Sequence, residues 1–106
     1  MNQSSKDLDE IIQCIKNLES IQQVVVDDLK IKINNIIKNN ITDDKMVEHI
    51  YDNLINLLQT KEVEKLFKKL SKYYYFVNPN LVCEYVNLYR ELYIDDFDYP
   101  KTLNKI

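Results

Sequence analysis

Leu8, Ile11, Ile12, Ile15 and Leu18 recur every three or four residues near the start of the chain. That spacing places apolar side chains on one face of an α-helix. Val25 or Val26, Leu29, Ile33, Ile36 and Ile37 continue the rhythm, and neither Gly nor Pro interrupts the stretch from Ser5 to Asn40. The pattern predicts one long helix over 5–40 in preference to two helices broken near Ser20 to Gln23. The β-branched run Val24-Val25-Val26 lowers helix propensity there but supplies no turn signal. Ser4 and Asp7 form the expected capping pair. Leu8, Ile11, Ile15 and Leu18 also have the spacing of a heptad seam, so this helix is expected to be capable of pairing with a second copy of itself.

Asn39-Asn40-Ile41-Thr42 reads as the first loop. Thr42 is expected to cap a helix with Asp43 and Asp44 in its first turn, where the helix dipole favours negative charge. Met46, Val47, Ile50, Tyr51, Leu54, Ile55, Leu57 and Leu58 then form a broad stripe reaching Gln59, wide enough to meet more than one neighbouring helix. Thr60 caps the next segment, with Val63, Leu66, Phe67, Leu70, Tyr73 and Tyr74 on its apolar side. Asn78-Pro79 is the strongest boundary, an N-cap followed by the proline that suits the first helical position. Leu81, Val82, Tyr85, Leu88, Tyr89, Leu92 and Tyr93 mark the last helix, and an acidic-aromatic tail follows from Asp95. The expected fold is all-α: a compact bundle of four or five helices with a long N-terminal helix. It forms one domain over 1–106, with a short flexible start at about 1–4 and a tail over 95–106.

Composition adds information mainly through what is missing. The 106 residues include no Gly, no Trp and no Ala, and Arg90 is the only arginine. No folding argument removes Ala from a helical protein, so codon pressure in an AT-rich genome is the simplest cause. Compact viruses, phages, low-GC bacteria and some protozoan parasites fit that description. The formal net charge of −3 argues against a general polyanion binder. Cys14 and Cys83 fall on or beside apolar stripes and are expected to be buried thiols, with a mutual disulfide as the alternative. No apolar leader segment and no run long enough to span a membrane is present, so an intracellular protein is expected.

Candidate chemistry is sparse. The lone His49, beside Glu48 and near Asp52, is too little for a zinc or di-iron centre and reads as solvated. Asp44, Glu48 and Asp52 recur every four residues, but no second acidic pair faces them, so they read as a solvated negative line. The absence of glycine removes phosphate loops, dinucleotide fingerprints and nucleophile elbows in their usual forms. No catalytic residue, metal or cofactor is therefore expected, and the chain is expected not to be an enzyme.

Two surfaces stand out as binding candidates. Lys61, Lys65, Lys68, Lys69 and Lys72 concentrate positive charge on one helix, suited to a phosphate backbone or an acidic protein patch. Tyr73, Tyr74, Tyr75 and Phe76 cannot all face one core, because successive helical residues point about 100° apart. They either cap the core with hydroxyls in water or form an interface, for which tyrosine is well suited. Phe97 and Tyr99, interleaved with Asp95, Asp96 and Asp98, either dock in a basic groove of a partner or fold back onto the bundle. The leading expectation is a non-enzymatic protein-binding module, such as a viral or phage accessory or inhibitor protein. The alternatives are a nucleic-acid-associated factor or a structural subunit.

Overall fold

A computed structural model of the chain describes residues 2–94, with side chains from Asp7 to Tyr93. Four α-helices follow in order: α1 Asn2–Lys38, α2 Asp44–Asn56, α3 Lys61–Tyr74 and α4 Pro79–Tyr89. A π-helical turn, Arg90–Ile94, extends α4. The all-α bundle with a long leading helix, expected from the periodicity, is the fold. Ser4 does not open α1, because the helix already begins at Asn2. No helix among the described residues is long and apolar enough to cross a membrane.

Each boundary has a local cause. A chain without glycine must end α1 on another residue that tolerates the left-handed region, and Asn40 takes it at φ 52°. Ile41 N donates to Ile36 O (3.0 Å) and Asn40 N to Ile37 O (3.4 Å), the paired bonds of a Schellman stop. Ile41 then packs on the core. The next cap is Asp43, one residue later than the expected Thr42. Its carboxylate accepts from Lys45 N at 3.1 Å and Met46 N at 3.3 Å. An ionised cap satisfies two orphan donors and meets the positive end of the dipole, which a threonine hydroxyl cannot match. Thr60 accepts from Val63 N and Asn78 from Leu81 N, as their positions in the sequence predict.

The bundle alternates in direction. Gln23 of α1 reaches Glu62 at the start of α3, and Lys69 further along α3 reaches Asn34, so α1 and α3 run the same way. Gln22 bonds Leu58 just past the end of α2, so α2 runs back along α1. Between them lies one apolar core. It takes Val26, Leu29, Ile33 and Ile36 from α1, Val47, Ile50, Tyr51, Leu54 and Ile55 from α2, and Val63, Leu66, Phe67, Leu70 and Tyr74 from α3. α4 adds Leu81, Val82 and Tyr89. Only the C-terminal half of α1 belongs to it. From Asp7 to Ile21 every residue is exposed, so α1, about 55 Å long at 1.5 Å per residue, projects as an arm. Cys14 on that arm and Cys83 on α4 are both exposed and free, against the expectation of buried thiols. The stripe beside Cys14 continues past the point where the other helices end, and Cys83 lies one helical step of about 100° from buried Val82, on the open side of α4.

Candidate functional site

The tyrosines settle into a pattern that no single helix stripe conveys. Tyr51 donates to or accepts from Ser71 at 2.7 Å, and its ring stacks on Tyr85 at 4.6 Å and tilts against Phe67 at 5.0 Å. Tyr73 donates to Ile41 O at 3.0 Å, Tyr85 to Asp52 at 2.8 Å and Tyr89 to Gln59 at 3.1 Å. Tyr74 donates to Asp44, and Tyr93 to Ile55 O. Six of the eight tyrosines thus end on a protein partner. Five of those six hydroxyls latch α3 or α4 onto α2 or its flanking loops. The latch also explains the acidic line of α2. Asp44 accepts from Tyr74 and from Asn78 (3.1 Å), and Asp52 accepts from Tyr85, so two of these carboxylates anchor neighbouring helices. Glu48 and His49 are exposed, as expected of a solvated pair.

Burial and these acceptors raise the tyrosine pKa values. Loss of solvent pushes Tyr51 up to about 12, with the Ser71 bond pulling slightly the other way. Desolvation raises Tyr74 and Tyr85 too, and in each the hydrogen bond to a carboxylate, Asp44 or Asp52, adds to the shift. Tyr89 is raised by burial and by the charge of Glu64. An unfolded tyrosine ionises near pH 10, so in alkali the unfolded chain loses protons that the folded chain retains. Stability should therefore hold up to about pH 10 and fall steeply as the pH rises toward about 12. Urea unfolding midpoints across that range, alongside the phenolate absorbance, test this. A midpoint that stays flat through the phenol titration would contradict the latch.

The proposed aromatic cluster divides in two. Tyr74 is fully buried and Tyr73 is half-buried and bonded to Ile41, so neither is free to meet a partner, contrary to the sequence expectation. Tyr75 and Phe76 are 51% and 88% exposed, with ring centroids 6.1 Å apart and edge to face. A groove of roughly 500 Å³ beside them is lined by Ser71, Lys72 and Val82. The turn that carries them is tightly bonded: Tyr75 N to Ser71 O, Val77 N to Tyr74 O and Asn78 N to Tyr74 O are each 2.9 Å. Phe97 and Tyr99 lie outside the described residues.

The basic helix face also divides. Lys68 pairs with Glu64 at 2.8 Å, and Lys69 donates to Asn34 at 2.6 Å. Lys61, Lys65 and Lys69 border a groove between α1 and α3 together with Lys30, which sequence reading of α3 alone could not have included, and with Glu62. Lys72 instead borders the Tyr75 and Phe76 groove. Among the described residues no three His, Cys, Asp or Glu side chains converge as metal ligands.

A third surface is larger than either. Leu8, Ile11, Ile12, Ile15, Leu18 and Ile21 are 41–61% exposed along one side of the arm. At its root Leu18, Ile21 and Val25 meet Leu57, Leu58 and Tyr93 around a groove of roughly 680 Å³. No family model, no curated protein and no solved structure matches this chain.

Proposed function

We propose that the chain is a non-enzymatic helical protein-binding module, acting as an adaptor or inhibitor that holds a larger protein through Tyr75 and Phe76. The observation that carries this reading is Phe76, an apolar ring 88% exposed beside a second exposed ring. Leaving these two aromatic residues in water costs the fold burial that other positions achieve. Aromatic anchors of this kind dominate the energetics of protein interfaces. The turn is already ordered by backbone bonds, so little entropy is lost when a partner closes over the rings. Lys72 on the groove's edge favours a partner whose pocket is apolar with an acidic rim.

Phe76→Ser is expected to weaken capture of the partner from lysate of the producing or host cell by at least about thirtyfold, a loss of roughly 2 kcal/mol. Tyr75→Ser should act in the same direction. Both residues are exposed, so thermal unfolding should be unchanged, whereas Tyr74→Ser would damage the core and test nothing. Retention of the same partner by Phe76→Ser would refute the assignment. Binding to an oligonucleotide column at low salt, abolished by Lys65→Glu and Lys69→Glu, would instead place the function on the α1–α3 groove.

A further inference from the structure

The face of α1 that enters the core and the face that carries the arm's apolar stripe are the same. Ile15 and Ile33 are separated by 18 positions, about five whole turns, so their side chains point the same way. Leu8 and Val26 are related identically, as are Ile11 and Leu29. One apolar face therefore runs from Leu8 to Ile36. The α2–α4 body covers it from Val26 onward and leaves the rest open. The one polar position on that line near the boundary, Gln22, is neutralised. Its amide donates to Leu58 O at 2.9 Å and accepts from Leu58 N at 2.8 Å, so no unpaired polar group separates the arm from the root groove.

We propose that the stripe is covered by the same stripe of a second copy of this chain, the two arms lying antiparallel. Each of the six side chains leaves on the order of 100 Å² open, so two stripes face to face remove about 1,200 Å² from water, where stable specific interfaces begin. Insertion of each tip into the other copy's root groove, against Val25, Leu57, Leu58 and Tyr93, adds to that area.

Sterics fix the direction. The body sits on the same face of α1 as the stripe, so parallel arms meeting stripe to stripe would drive the two bodies into each other. Antiparallel arms set the bodies at opposite ends and form a closed two-fold pair. The chain's own segment 95–106, with Asp95, Asp96 and Asp98 against Lys101 and Lys105, gains no advantage from charge on an arm that carries Asp7, Asp9, Glu10 and Glu19 against Lys6 and Lys16, and it has no apolar stripe of matching length and spacing to lay along the arm. Tyr75 and Phe76 lie at the far end of the body, near where α3 meets Ile41, so the arms can pair whether or not that end binds a partner.

Light scattering on the full chain at concentrations on the order of 100 μM should give twice the 12.7 kDa chain mass. Ile15→Glu with Leu18→Glu should return it to the single-chain mass with unchanged helical circular dichroism. Should the double charge unfold the arm, Ile15→Ala with Leu18→Ala should still raise the dissociation constant at least about tenfold. In a Cys14→Ser, Cys83→Ser background, Leu8→Cys combined with Leu18→Cys should oxidise to a covalent dimer while Leu8→Cys alone should not. A single-chain mass for the unaltered protein overturns the proposal, as does a dimer untouched by both substitutions or one cross-linked by Leu8→Cys alone. A monomer that loses capture of some other protein on Ile15→Glu assigns the stripe to that protein and overturns it too, whereas loss on Phe76→Ser alone concerns only the other end.

Discussion

Tyr51→Ala should destabilise the domain by about 3–5 kcal/mol, a large share of the roughly 5–15 kcal/mol that holds a domain of this size folded. Tyr51 has no exposed surface and is among the largest fully buried side chains. Its ring contacts Phe67 of α3 on one side and Tyr85 of α4 on the other, so one deletion removes packing from three helices at once. The void cannot close easily, because Phe67 is itself held against Tyr89 at 4.5 Å and Tyr85 is tethered to Asp52. Tyr51→Phe separates packing from hydrogen bonding. It keeps the ring, loses only the Ser71 bond, and should cost about 1 kcal/mol, since Ser71 is partly exposed and can turn to water. Urea unfolding of the two variants decides the matter. If alanine and phenylalanine cost the same, the hydroxyl dominates and the stacked rings contribute little.

This central role of Tyr51 was only partly legible in the sequence. The stripe of α2 places Tyr51 inward among aliphatic residues, and that much follows from spacing alone. What spacing cannot carry is the partner of each hydroxyl. Tyr74 with Asp44 and Tyr85 with Asp52 join residues 30 and 33 positions apart, a relation set by how helices dock and invisible to any local window. The same limit made the α2 acids look like a solvated line. The caps at Thr60 and Asn78 could be read because a cap and its N–H group are three residues apart. The sequence also required that some of Tyr73 to Phe76 face outward, because helical steps of about 100° forbid a shared direction. It did not say which two, since that depends on where α3 ends. The helix stops at Tyr74, and the turn swings Tyr75 and Phe76 away from the core.

Ile33→Ala should cost about 2–5 kcal/mol, and Ile15→Ala, measured on the isolated chain at concentrations too low for pairing, should change stability by less than about 0.5 kcal/mol. The comparison is sharp because residue type, helix and helix face are the same at both positions, and only the surroundings differ. Ile33 has no exposed surface and belongs to the core, whereas Ile15 is half open and lies outside it. Local propensity cancels between the two, since each is an isoleucine within α1, so the difference reports tertiary packing alone. Urea midpoints at constant slope provide the measurement. Equal costs would mean that the arm packs against something within its own chain, and the unoccupied stripe, with the pairing built on it, would be lost. A wide gap would show that a hydrophobic rhythm unbroken from Leu8 to Ile37 serves two ends: its second half stabilises the fold, and its first half remains available for binding.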